Sequence, residues 1–144
     1  MLARFLQEEG LERFAPNGKY RERFFRYAKT VIGGGQAILP VHSQGKQACL
    51  PSTRFGFRLE LVPACDLSSM QLFFENKPLA GALVTAIARD DAARVSARTD
   101  AKGRVTLPLP HNGVWLVKST WLVAAPPGSG FDWESLWASV TFER

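Results

Sequence analysis

From residue 57 to the end of the chain, apolar residues recur at every second position in short runs, and turn signals separate the runs. A period of two sends alternate side chains to opposite faces of a strand, so each run can bury one face and leave the other wet. Phe57, Leu59, Leu61 and Pro63 alternate with Arg58, Glu60 and Val62. Residues 70–75, 82–89, 94–99, 104–109, 114–125 and 134–143 read as six further strands. Between them lie Asn76-Lys77-Pro78, Asp100-Ala101-Lys102-Gly103 and Pro110-His111-Asn112-Gly113. Asp first and Gly last, as in the second of these, suits a type I turn. About seven strands at this spacing predict an all-β, antiparallel β-sandwich of immunoglobulin- or transthyretin-like type. Trp115, Val117, Trp121 and Val123 form one inward set, and Leu136, Ala138, Val140 and Phe142 form another.

The first part of the chain is less regular. Over residues 2–14, Leu2, Phe5, Leu6 and Phe14 fall near one face of a short N-terminal helix, which Ala15-Pro16-Asn17-Gly18 brings to an end. Residues 20–32 fit two patterns. Phe24, Ala28 and Ile32 keep helical spacing, whereas Phe25, Tyr27, Lys29 and Val31 alternate as a strand does. The β-branched run Thr30-Val31-Ile32, followed by three glycines, favours a strand over the second half. Residues 33–56 read as a long irregular connection. The organisation is therefore a helix and turn over 1–19, an ambiguous strand plus long loop over 20–56, and the sandwich over 57–144. At 144 residues the whole suits one domain.

Charge and motif content narrow the function classes. The net charge is +5, and Lys19, Arg21, Arg23, Arg26 and Lys29 mix with Phe24, Phe25 and Tyr27. Such mixtures can hold single strands, but a solvated basic face beside core aromatics produces the same pattern. No nucleic-acid partner is expected. The longest apolar stretch, residues 114–125, is interrupted by Lys118, Ser119 and Thr120, so no membrane insertion is expected. Glu8 and Glu9 stand where a signal peptide needs its apolar core, which predicts no cleavable leader. Gly33-Gly34-Gly35 and Gly45-Lys46-Gln47 lack phosphate-loop spacing.

Nothing in the chain reads as a catalytic set. The histidines, His42 and His111, lie in a loop and a turn, no nucleophile elbow is present, and Asp90-Asp91 reads as a turn. The expected protein is not an enzyme. His42, His111 and Asp66 can meet around a metal only through tertiary folding, so no cofactor is expected in this chain and its metal ligands stay unassigned. Four tryptophans are present, and Trp133, beside the Gly-rich loop, is the candidate for an exposed aromatic that contacts a ligand or partner. Core packing is the commoner role for such a residue. Cys49 and Cys65 form no CxxC pair. They read equally as a disulfide closing about 17 residues, worth roughly 3 kcal/mol in the chain-entropy model, or as two reduced thiols.

Several segments together resemble one family. They are LARFLQEEGL from Leu2, Arg26-Tyr27-Ala28-Lys29-Thr30, Leu59-Glu60-Leu61-Val62-Pro63, and NKPLAGALVTA over 76–86. Thr99-Asp100-Ala101-Lys102-Gly103-Arg104, Gly113-Val114-Trp115-Leu116-Val117 and the closing DWESLWASVTFE over 132–143 complete the set. The closing segment is the most diagnostic. In order and coverage the chain resembles the periplasmic, nickel-transport-associated group named for the NikM subunit, which is largely of unknown function. It departs by having Asn76 where the group has glycine, and by beginning within the group's middle helix, without the upstream part most suggestive of metal binding. The resemblance implies a periplasmic, non-enzymatic accessory or binding domain of a bacterial envelope nickel/cobalt uptake system, with other transport components as partners. It implies nickel or cobalt as the ion handled by the complete protein and a Cys49–Cys65 disulfide; with two histidines and no preformed cluster, no tight nickel site is expected in this chain alone. The alternative is a carbohydrate- or protein-binding module of a secreted protein. Strands missing from the upstream part would leave Phe25, Tyr27 and Val31 uncovered, and a homodimer formed through residues 1–32 is the expected remedy.

Overall fold

The alternating runs fold as strands, in a computed structural model that describes residues 21–32 and 54–144 together with Gln7. The expected N-terminal helix, Gln7 apart, and the connection up to residue 53 lie outside the described residues. Among the described residues nine strands follow in chain order: β1 (Glu22–Val31), β2 (Leu59–Pro63), β3 (Ser69–Phe74), β4 (Lys77–Pro78), β5 (Leu83–Ala88), β6 (Arg94–Arg98), β7 (Arg104–Thr106), β8 (Val114–Ala124) and β9 (Trp133–Glu143). One sheet has the order β1-β9-β8-β5-β6. In the other, β3 pairs with β2 along one edge and with β4 and β7 along the opposite edge. The frame is all-β and sandwich-like.

Two features depart from the expected seven antiparallel strands. First, residues 22–31 are strand over their whole length, paired parallel to β9 from Glu22 opposite Trp133 to Val31 opposite Phe142. The helical reading failed because a spacing of four is even. Phe24, Ala28 and Ile32 therefore also share one face of an extended chain. A parallel pair needs a long crossover, and β2 to β8 supply it here. Second, Lys77-Pro78, read as a turn, is a short strand. The turn itself is Glu75-Asn76, with φ of 48° and 67°, the left-handed pair that a two-residue type I′ hairpin requires.

The core lies between the sheets and follows the expected phase. Trp115, Val117, Leu136, Ala138, Val140 and Phe142 are buried with Leu59, Leu61, Met70, Leu72 and Leu107. Trp121 and Val123 pack at its margin. Tyr27 and Val31 of β1 pack there too. Tyr27 and Val31, expected to lie uncovered, thus rest on their own chain's core, while β1 forms one edge of its sheet. On the opposite face of β8 and β9, Thr120, Leu122, Trp133 and Ser135 are also buried, so this sheet is withdrawn from solvent on both sides at one end.

The turn at Asp100 locks β7 against β3. Asp100 Oδ1 accepts from the Lys102 and Arg104 N–H groups, each at 2.8 Å, and the Gly103 N–H donates to the Asp100 carbonyl at 2.9 Å. Gly103 has φ of 69°, and a Cβ there would stand 2.6 Å from the Leu72 carbonyl oxygen and 2.9 Å from the Leu79 nitrogen. The Leu79 N–H donates to that same Leu72 carbonyl at 2.9 Å, so neither neighbour can move without breaking backbone hydrogen bonds. Gly103→Ala is therefore expected to destabilise the domain by at least ~1 kcal/mol, read as a lower urea midpoint with unchanged slope. An unchanged midpoint would contradict this account of the turn.

Candidate functional site

β1 and β2 are edge strands of opposite sheets, and side chains bridge them along one side of the sandwich. Lys29 of β1 reaches Glu60 of β2, whose carboxylate is buried. Glu60 also accepts the Phe55 N–H at 2.6 Å and the Gly56 N–H at 3.1 Å, so residues 55–56 strap over it. Lys29 Nζ donates in addition to the Leu61 carbonyl at 3.2 Å, capping the free edge of β2. Its ammonium lies 5.0 Å from the Phe55 ring, and Phe55, Phe57 and Tyr27 stack in series.

A second buried carboxylate sits further along the same seam. Glu134 of β9, 2% exposed, accepts from Arg23 Nε at 3.0 Å and Nη2, and from Arg58 Nη1 at 2.9 Å. Arg58 Nη2 continues to Glu75 at 3.3 Å. Both guanidinium groups lie 5.3 Å from the Phe25 ring centroid, so this ring is flanked by two cations.

These contacts fix the charge states. Burial pushes the Glu60 carboxyl up, but the Lys29 bond and the Phe55 and Gly56 N–H groups outweigh it and hold the group below the ordinary carboxylate range. The Arg23 and Arg58 hydrogen bonds do the same for Glu134. Both are therefore anions at neutral pH with their oxygens engaged. A general acid or base needs the reverse, a value near the working pH. The seam is a clamp between sheets. Because both folded-state values are depressed, their stabilisation is present above the ordinary carboxylate range and is lost as pH falls through the depressed values. The urea midpoint should therefore drop progressively below roughly pH 5, and Glu134→Gln should flatten that acid limb. An unaltered limb in Glu134→Gln would show that the clamp does not carry it.

Sequence reasoning missed Glu60 and Glu134. For Glu134 a signal was available: stepping back by two from Phe142, Val140, Ala138 and Leu136 arrives at Glu134, on the inward face. Glu60 carried no such signal, because its phase opposes the inward Leu59 and Leu61 and its cover comes from the strap and from Lys29 of a distant strand. Two members of the basic cluster reach into the seam from an otherwise exposed set. Arg23 and Lys29 serve the two carboxylates, and Arg26 lies 5.4 Å from the Phe24 ring and 5.6 Å from the Trp137 ring on the outer face.

The residues singled out from the sequence are dispersed. Trp133 is 6% exposed, which corrects its reading as the exposed aromatic; it lies on the outer face of β9, where that face is covered. Asp66 is a turn residue, with Oδ1 accepting the Ser68 and Ser69 N–H groups at 3.1 and 2.9 Å and Oδ2 accepting the Ser69 hydroxyl at 2.9 Å. His111 lies beside Asp91 in the loop before β8, with Asp90 bound to Arg89 instead. Among the described residues no three His, Cys, Asp or Glu side chains converge as a metal site. His42 lies outside the described residues. Cys65, in the β2–β3 turn, is disulfide-bonded, and Cys49 lies outside the described residues. Alkylation without reductant should therefore leave Cys65 unmodified, and prior reduction should expose it together with Cys49. Labelling of Cys65 in the unreduced protein would contradict this.

No helix among the described residues is long and apolar enough to cross a membrane. Residues 4–122 match the model of a family described as a domain of unknown function, DUF4198. No curated protein and no solved structure matches the chain.

Proposed function

We propose a role for a chain that belongs to the DUF4198 family: a non-enzymatic accessory or binding domain of a bacterial envelope nickel/cobalt uptake system. The observation that carries the proposal is where the motifs shared with the nickel-transport-associated group fall. Arg26-Tyr27-Ala28-Lys29 lies in β1 and supplies Lys29, Leu59-Glu60-Leu61-Val62-Pro63 is β2 and supplies Glu60, and the closing segment is β9 and supplies Glu134. The first two motifs meet in the Lys29–Glu60 pair, and Glu134 of the third is held by Arg23 and Arg58, each just outside those motifs. Such a set argues for a shared frame more strongly than any motif taken singly.

The disulfide at Cys65 favours an oxidising compartment, in keeping with a periplasmic location. Carboxylates held ionised at neutral pH, with their oxygens engaged, favour a scaffold over a catalyst. Two packed sheets, antiparallel apart from the β1–β9 pair, favour an immunoglobulin- or transthyretin-like class for the frame.

One observation favours the second reading, a carbohydrate- or protein-binding module. Phe24 is 61% exposed beside Arg26 and Trp137, an aromatic-cationic patch on the outer face. In a host carrying the gene, deletion should lower nickel or cobalt accumulation several-fold from metal-limited medium, and the wild-type gene should restore it. Unchanged accumulation of both metals would overturn the uptake reading. Glycan binding by the purified chain, lost in Phe24→Ala, would then support the second.

A further inference from the structure

At one end of the sandwich, the turn between β5 and β6 meets the loop that leads into β8, and His111 stands between them. Its Nε2 lies 3.1 Å from Asp91 Oδ2, and its Nδ1 lies 2.8 Å from the Asn112 carbonyl oxygen. Both partners are acceptors. A carbonyl has no proton to give, and Asp91 is held ionised because its other oxygen accepts the Ala93 N–H at 3.0 Å. Neutral imidazole carries one N–H and can satisfy only one of the two. The arrangement is complete only when both ring nitrogens donate, which is the imidazolium form.

We propose that His111 is a proton-operated clamp: as imidazolium it ties the β5–β6 turn, through Asp91, to the loop before β8 while also donating to the Asn112 carbonyl, and loss of its proton leaves one of these two bonds unmade and loosens the junction. In the neutral ring, whichever nitrogen has lost its hydrogen turns a lone pair toward an acceptor. If Nδ1 keeps the proton, that acceptor is the Asp91 carboxylate and the link between the two segments becomes repulsive; if Nε2 keeps it, the Asp91 link stays and the Asn112 carbonyl loses its donor, so the ring no longer braces its own loop.

The surroundings agree. The charged groups facing the ring are Asp91 and Asp90 of the β5–β6 turn; Arg89, from the same turn, is engaged with Asp90 at 2.9 Å and feels Glu143 of β9. From the end of β9, Arg144 meets the loop through backbone bonds with Gly113, at 2.9 and 3.1 Å. The Asn112 carbonyl, then Asp91 and Asp90, raise the His111 value above the ordinary imidazole range despite the opposing effect of desolvation. With a raised folded-state value, the clamp is fully closed below the ordinary imidazole value and opens as pH rises through the folded one. The loop is also wired to the core. The Trp115 indole N–H donates to the His111 carbonyl at 3.2 Å, and the two rings lie 5.1 Å apart in a tilted arrangement. Trp115 is fully buried, so opening is reported inside the domain.

The test is an NMR pH titration of the intact chain, following the His111 ring protons, the Trp115 indole N–H and the amides of Ala93 and Gly113. His42→Gln identifies which histidine is which. The expected result is a His111 midpoint above the ordinary imidazole value of about 6.5, with the Trp115, Ala93 and Gly113 signals moving through the same midpoint. In Asp91→Asn the midpoint should fall back toward the ordinary value. A wild-type His111 midpoint at or below the ordinary value would overturn the proposal, as would Trp115 and Gly113 signals that stay still while His111 titrates. The wild-type titration decides the matter even if Asp91→Asn fails to fold.

Discussion

Taking Glu60 and Glu134 out of water costs several kcal/mol for each carboxylate unless cations and N–H groups meet them. The cations that do so come from β1 and from Arg58, just before β2, and the N–H groups come from the strap at Phe55 and Gly56. The two buried carboxylates therefore demand that three separate stretches of chain arrive together. Lys29 and Arg23 bring β1 to the seam, Arg58 and Glu60 bring the start of β2, and Glu134 brings β9. A sandwich held only by apolar burial could let its edge strands slide by two residues and keep its faces in phase. Ion pairs with named partners do not tolerate such a shift.

That constraint explains why β1 lies parallel to β9 at the edge of its sheet. Its inward residues are not a clean apolar set: Phe25, Tyr27 and Val31 share the face with Arg23 and Lys29. The strand cannot sit in the middle of a core, and it cannot be left in water either. An edge position, with the apolar residues against the margin of the core and the two cations turned to buried carboxylates, suits both halves of its composition. The aromatic series Tyr27, Phe57 and Phe55, together with Phe25 between Arg23 and Arg58, fills the remaining space with rings that favour adjacent cations.

The part of the fold written as a period of two was legible. Leu136, Ala138, Val140 and Phe142, and Trp115 with Val117, face the core as the alternation says, because β8 and β9 are long and bury one consistent face. Residues 22–31 were legible only in part, since a repeat of four satisfies a helix and a strand alike. The β3–β4 hairpin was displaced because the turn uses Glu75 in a left-handed conformation, which composition does not flag. Trp133 was misplaced for a different reason. Strand phase correctly sends it outward from the core, but phase is silent about whether something covers that outer face. The two carboxylates were hidden because a charged residue in a strand reads as solvent-facing, and the partners that reverse that reading are 31 residues away for Glu60 and 111 for one contact of Glu134. The same distance hid the meeting of His111 with Asp91, 20 residues apart.

The most direct measurement is a double-mutant cycle on Lys29 and Glu60, using Lys29→Met, Glu60→Gln and the pair, each followed by urea unfolding at neutral pH. Stranding the buried carboxylate in Lys29→Met should cost about 3–5 kcal/mol, and removing its charge as well should recover a substantial part of that loss. A coupling energy above ~1 kcal/mol is the predicted result. Additive losses, or a Lys29→Met variant as stable as the wild type, would contradict the view that the buried ion pairs hold the two sheets together.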